Sequence, residues 1–360
     1  MTTGHLPCCW HNEYYTVRRY GPNGRTLWTR DYFRNAVGSS EFAGGLHVAV
    51  LDDRVYVAGP IVWSKESNPE SYWSVVCYAV NGDRLWRRDL GDVADVASNG
   101  SQIYLLLNNL APTNEEGTTL RKIDDEGNVT SEWHVPFMQL GNCLAVDPDE
   151  TVHIAGGRGS ASVGQSYWFG EWQGGVAGDA GLHTWTCLTR DGRGRTIIGG
   201  VNFGIVEGWP ANQDAMKSRD TPGAAVHWSQ NLDGNPSTAS SVDALAATDD
   251  FGLVTASGSF TRSSMTGTLG RWDADGNLLW ARGTGRRTNV EVEVTSQSIY
   301  SSVAAAVFGE GTVEKRLADG TKEWAHDHMQ VSDIAPLSLD GGAIYVGGRK
   351  RRGINETDYV

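Results

Sequence analysis

The chain has 360 residues, with 43 acidic side chains against 30 basic ones, a formal net charge of −13 and a pI near 5.1. A surface of that average sign repels nucleic-acid phosphates and acidic lipid headgroups, so neither is expected as a partner. No stretch approaches the length of an apolar membrane span, and 45 Gly, 14 Trp and 12 Tyr without long apolar runs at helical spacing read as many short strands joined by tight turns.

Residues 1–14 lack both a basic start and an apolar run of leader length, so export by the usual signal is not expected. His5, Cys8, Cys9 and His11 place four metal-ligand types within seven residues, although adjacent cysteines do not easily take two corners of a tetrahedral site. The segment is read as a tail, with metal binding left open. Cys8, Cys9, Cys77, Cys143 and Cys187 follow no disulfide spacing and are expected to be reduced thiols.

From residue 15 onward two signatures alternate. One is an apolar strand, an Asp/Gly/Asn turn and a second apolar strand, at 46–59, 93–107, 143–157, 184–200, 242–258, 290–303 and 334–348. Anchored on Tyr56, Tyr104, His153, Ile197, Val254, Tyr300 and Tyr345, the copies are 48, 49, 44, 57, 46 and 45 residues apart. A period of that size predicts a four-stranded propeller blade. The second signature is a strand, a Gly-centred turn read as two residues long, and a strand carrying Trp. It occurs at 17–28, 75–86, 120–133, 269–280 and 313–324, with Asn-Gly or Asp-Gly supplying positive φ. SYWFGEW, 166–172, is read as the degenerate copy, with Trp172 in the Trp position. Trp28, Trp86, Trp133, Trp280 and Trp324 are expected to be buried at equivalent places.

The expected fold is therefore all-β: one seven-bladed β-propeller over residues 1–360, made of four-stranded antiparallel blades. The hairpin 15–30 is expected to complete the blade begun by 334–348, since pairing the chain ends removes open sheet edges.

The units YAVNGDRLWRRDL, RWDADGNLLWARG and RLADGTKEWAHD resemble the outer hairpin of the PQQ-like, quinoprotein-type propeller repeat, roughly Asp-x-x-Gly-x-x-x-Trp. The chain also resembles phage-encoded single-domain propellers of similar repeats. The resemblance implies a fold and leaves the chemistry open. In quinoprotein dehydrogenases a Cys-Cys pair lies against the cofactor, whereas here Cys8-Cys9 sits in the tail.

Turns between the first and second, and the third and fourth, strands of a blade are short. The other connections include 31–45, 59–72, 108–118, 158–166, 229–241, 258–267 and 282–289, and long loops on a rigid scaffold commonly carry recognition. The expected partner face is therefore the long-loop face, with Trp63, Tyr72, Trp73, Tyr167, Trp168 and Trp209 as aromatic anchors and Arg286, Arg287 and Arg351 as basic contacts. The largest excess over the period, 201–223, is open as to the face from which it projects.

Asp273-x-Asp275-Gly276-Asn277 resembles the start of a calcium loop, but its Gly falls one place early and no Glu follows, so it reads as a hairpin turn. His326-x-His328 is placed on a loop and lacks a third ligand. No nucleophile elbow, Walker loop, dinucleotide fingerprint or zinc-protease motif occurs. No catalytic residue, metal or cofactor is expected. Function is read as non-catalytic binding to proteins of a larger assembly or to a surface receptor, in a phage virion, tail or capsid, assembled in the host cytoplasm. The alternatives are a cytosolic interaction scaffold and, behind it, a PQQ-dependent dehydrogenase.

Overall fold

Apolar runs broken every few residues by Asp-Gly or Asn-Gly pairs dictate short antiparallel strands, and the computed structural model consists of these. It describes residues 13–32, 40–43, 47–65, 68–109, 117–135, 140–158, 165–170, 175–179, 184–202, 216–219, 226–230, 239–250, 252–260, 265–285, 287–305, 311–328, 331–340 and 342–351.

In chain order, β1 (Glu13–Tyr20) and β2 (Thr26–Tyr32) form a hairpin. β3 (Ser40–Ala43) and β4 (His47–Leu51) both pair with β5 (Arg54–Lys65), followed by β6 (Asn68–Ala79) and β7 (Arg84–Asp89). Next come β8 (Val93–Ser98), β9 (Ile103–Asn109), β10 (Gly117–Ile123) and β11 (Val129–Val135), then β12 (Leu140–Val146), β13 (Val152–Arg158), β14 (Gln165–Gly170) and β15 (Gly175–Asp179). They are followed by β16 (Thr184–Arg190), β17 (Thr196–Asn202), β18 (Met216–Arg219) and β19 (Val226–Gln230), and by β20 (Ala239–Ala247), β21 (Leu253–Phe260), β22 (Met265–Trp272) and β23 (Leu278–Gly285). The last are β24 (Arg287–Val294), β25 (Ser298–Ala305), β26 (Gly311–Leu317), β27 (Lys322–His328), β28 (Val331–Asp340) and β29 (Ala343–Arg351).

These strands make six sheets rather than seven separate blades. Five are blade-sized; the sixth has eight strands because β17 runs past its own hairpin and pairs with β20 through Val201↔Ser241 and Asn202↔Ser240. β1 lies antiparallel to β29 from Glu13↔Arg351 to Tyr20↔Ile344, so both chain ends share a sheet of order β2-β1-β29-β28. The first strands of successive units lie side by side: β4 on β8, then β12, β16, β20, β24 and β28, with β28 also against β4.

Apolar cores form between neighbouring units. Val17 and Tyr345 of the terminal sheet pack with Val48, Val55, Val57, Val76 and Tyr78 of the next. All seven repeat anchors, Tyr56 through Tyr345, are buried.

The outer Trp residues are half-buried rather than buried. Each sits on the fourth strand of its unit, as does Trp228, and five of these indoles reach a turn of the next unit. Trp28 Nε1 donates to Val80 O at 2.7 Å, Trp86 to Asp125 O at 2.7 Å, Trp228 to Ala274 O at 3.2 Å, Trp280 to Ala318 O at 3.1 Å and Trp324 to Pro22 O at 3.3 Å. Four of these carbonyls also accept an Arg from the same unit as the Trp: Arg19 at 2.7 Å, Arg54, Arg195 at 2.8 Å and Arg271 at 2.9 Å. The receiving turns have three-residue rather than two-residue loops. Asp124 N, for example, bonds Asn128 O, and Gly127 N bonds Asp124 O, with only the Gly at positive φ, the pattern of a type I turn closed by a bulge. A Cβ on Gly127 would lie 2.9 Å from the Trp86 ring, and one on Gly276 2.6 Å from Trp228.

Several expected loops are strands. Residues 59–72 fall largely within the β5–β6 ladder, which runs through Trp63↔Glu70 to Lys65↔Asn68. Gly59 and Pro60 read as loop residues, but on the first-strand side they lie between the pairing ranges of β4 and β3, so the missing Pro N–H breaks no bond there. Tyr167 and Trp168 lie in β14, paired with Gly156 and Ala155. Arg287 begins β24, so 282–289 is mostly strand, and His326 and His328 lie in β27. The fourth strand of the degenerate copy is Gly175–Asp179, and Trp172 lies outside the described residues. The 201–223 excess falls mainly at 203–215, between the second and third strands of its unit.

Trp86→Ala is expected to cost roughly 2 kcal/mol, below the ~3–5 of a fully buried Trp, and Gly127→Ala a comparable amount. Urea unfolding should show a lower midpoint at unchanged m-value for both. Unchanged midpoints would refute the docking role.

Candidate functional site

Side chains of β4, β8, β12, β16, β20, β24 and β28 together line one cavity of about 640 Å³. The first strands are apolar by pattern, yet several place a polar residue at a similar register. Counted back from the residue opposite each repeat anchor, these are His47, Asp95, Asn142, Thr186, Asp243 and Glu291. Bulges explain three of them: the ladder shifts between Gly141 and Cys143, between Trp185 and Cys187, and between Val242 and Ala244. The skipped residues Asn142, Thr186 and Asp243 line the cavity, as expected of bulges that re-aim a side chain.

Some of these groups tie units together. His47 Nδ1 lies 3.0 Å from Asp95 Oδ1, and Leu144 N donates to Asp95 Oδ2 at 2.8 Å. Thr186 Oγ1 donates to Val242 O at 2.5 Å. Asp243 takes Ser241 Oγ on Oδ1 at 2.7 Å, while its Oδ2 is buried without a hydrogen-bond partner. Burial pushes Asp243 up to about 7 and Glu293 to about 7. Glu291 is held well above the carboxylate range, first by burial and then by Glu293 and Asp95. Burial likewise raises the thiols of Cys143 and Cys187, and takes Cys77 to about 12. All three cysteines are free and buried.

The lining contains no Lys or Arg among the described residues. That does not fit PQQ, the cofactor the repeat resemblance brings to mind, because a polycarboxylate would face Asp95, Asp243, Glu291 and Glu293 without a counter-charge. Among the described residues no three His, Cys, Asp or Glu side chains converge to hold a metal ion. Asp273 forms a hairpin turn, its Oδ1 accepting from Asp275 N at 2.9 Å and Asn277 N at 2.8 Å.

Comparison with solved structures identifies this arrangement. The β-propeller domain of the Trilobed protease from Pyrococcus furiosus matches at TM-score 0.53 and 10% identity, over 86% of this chain and 92% of that one. The Pan2 WD40 domain from Neurospora crassa matches at 0.54 and 9%, over 85% and 89%. The fold is a β-propeller. A GH74 xyloglucanase from Xanthomonas campestris also matches, at 0.54 and 14% over 85% of this chain but 51% of that one. The propeller's neighbours thus include enzymes and non-enzymes, and likeness at this identity speaks for fold alone. No family model matches the sequence, and no curated protein does.

Trp63, Tyr72 and Trp73 share the β5–β6 ladder, Tyr167 and Trp168 lie on β14, Arg287 on β24 and Arg351 on β29. Trp209, Arg286, His5, Cys8, Cys9 and His11 lie outside the described residues. The cavity residues gave one sequence signal: a polar residue recurring four or five places before six of the seven inner turns, as in Asp243 and Glu291. Among the described residues no helix is long and apolar enough to cross a membrane.

Cys77, Cys143 and Cys187 are expected to resist iodoacetamide in the folded protein at pH 8 and to react on unfolding, because burial disfavours the thiolate. Mass spectrometry of the labelled peptides checks this; rapid native labelling of Cys143 would contradict it.

Proposed function

We propose that the propeller is a closed ring of seven blades and a non-catalytic binding scaffold that presents its long-connection face to another protein. The eight-stranded sheet reads as two blades joined at β17–β20. The sequence of first-strand neighbours, ending with β28 on β4, supports closure, as does the β1–β29 ladder.

The observation that carries the binding reading is the β5–β6 ladder, continuing from Gly59↔Ser74 to Lys65↔Asn68 on the second-to-third-strand side. It holds Trp63, Tyr72 and Trp73 on a hydrogen-bonded support rather than a loop, which lowers the ordering cost of using them as contacts. Trp168, Tyr167, Trp209, Arg286, Arg287 and Arg351 complete the proposed contact set, the basic residues suiting an acidic partner surface. The partner is proposed as another protein of a larger assembly or a surface receptor. A virion setting, with assembly in the host cytoplasm, rests on the resemblance to phage-encoded propellers alone. The unpaired carboxylates of the cavity weigh against a PQQ-dependent dehydrogenase.

Cross-linking mass spectrometry of the assembly purified from its native source should place contacts at 59–73 and 203–215. Trp63→Ala should weaken the identified contact by about tenfold or more with unchanged melting, whereas Gly82→Ala should alter melting alone. Contacts confined to the third-to-fourth-strand turns would overturn the face assignment, and robust dye-linked turnover with PQQ and calcium would overturn the non-catalytic reading.

A further inference from the structure

The cavity has an imbalance of charge that binding at the long connections leaves unexplained. Among the described side chains it receives His47 from β4, Asp95 from β8, Cys143 from β12, Cys187 from β16, Asp243 from β20, and Glu291 and Glu293 from β24, while those of β28 are Leu337 and Ser338. His47 is committed to Asp95. Asp243, Glu291 and Glu293 therefore line one cavity with no Lys or Arg among the described residues of its lining, from two neighbouring first strands, and one oxygen of Asp243 is buried without a donor.

Like charges gathered along one cavity wall cannot all ionise without cost. We propose that the central cavity is a proton-operated lock on the ring: protonation of Asp243, Glu291 and Glu293 removes repulsion between β20 and β24 and tightens the propeller, and their ionisation loosens it. Burial holds these carboxyls above their ordinary range, so the folded chain keeps protons that the unfolded chain, with pKa values of about 3.9 for Asp and 4.3 for Glu, has already released. Their contribution is thus neutral below about pH 4 and grows unfavourable as pH rises, levelling off for Asp243 and Glu293 once pH passes their raised values near 7, while Glu291, held well above its ordinary range, follows in the same sense. The hairpin-turn aspartates act in the opposite sense. Hydrogen bonds from Asn277 and Asn128 hold Asp273 and Asp124 below the usual range, and that stability is lost only on stronger acidification.

The test compares thermal melting of the wild type and the triple variant Asp243→Asn, Glu291→Gln, Glu293→Gln from pH 4.5 to 8.5. The variant is expected to melt above the wild type at pH 8, with the gap shrinking below pH 7 and nearly gone at pH 4.5. A gap independent of pH, or a variant less stable at pH 8, overturns the proposal. A second readout uses the wild type alone, whose infrared spectrum should contain a protonated-carboxyl band at pH 6 that weakens by pH 8.5 as Asp243 and Glu293 ionise. Absence of that band in folded protein at pH 6 also overturns it, even where the triple variant does not fold.

Discussion

A backbone carbonyl has two lone pairs, and at four junctions of this propeller both are taken by the preceding unit, one by a Trp indole and one by an Arg. Val80, Asp125, Ala274 and Ala318 are the acceptors. Each lies in a turn whose Gly has positive φ; Gly127, Gly276 and Gly320 let the indole approach closely, whereas Gly82 lies against the Arg30 guanidinium. The local geometry of one hairpin therefore fixes how the next unit sits. Each such hydrogen bond contributes only about 0.5–1.5 kcal/mol net, yet its repetition gives the arrangement a constant sense, each unit so joined reaching forward to the next. Trp324 on Pro22 continues that sense from the end of the chain to its beginning.

The inner edge joins units by a different chemistry. Between the β8–β11 and β12–β15 sheets, Asn108 bonds both ways with Gly141, at 3.0 and 2.8 Å, and Asp95 holds Leu144 N. The fourth strand of the next unit, Gly175–Asp179, carries no Trp, so such inner contacts bear more of the junctions there. The same placement of polar residues on first strands concentrates carboxylates in the central cavity. Asp95 meets both demands, with His47 and Leu144 as partners, whereas Asp243, Glu291 and Glu293 keep the charge imbalance.

What the sequence made legible was local. The Gly turns, the Trp register and the anchors Tyr56 to Tyr345 each follow from a few neighbouring residues, and all reappear in the strand pairing. What it hid depends on strands far apart in the chain. Asp243 and Glu291 are isolated polar residues in apolar strands, and only the convergence of β20 and β24 with five other first strands gives them a common cavity. Pro60 and the Asn68-Pro69 pair read as loop punctuation, because nothing local reveals that β5 passes from one partner, β4, to another, β3. The sharing of one sheet by β17 and β20 was likewise hidden, since two residue pairs between strands of different repeats leave no periodic trace. For the degree of Trp burial, the outermost strand decides: one ring face meets the next turn while the other has no further strand to cover it.

The central proposal is that the chain ends and the docked tryptophans lock one ring. Native-state hydrogen exchange along β1 tests it most directly, since among the described residues β1 hydrogen-bonds to β2 on one side and β29 on the other, and its protection depends on the union of the two ends. The account predicts that the amides of Thr16 to Arg19 are protected to nearly the same free energy as those of Leu105 to Leu107 in β9, as expected of one cooperative unit. Exchange at β1 as fast as in an unpaired segment, with β9 still protected, would contradict it.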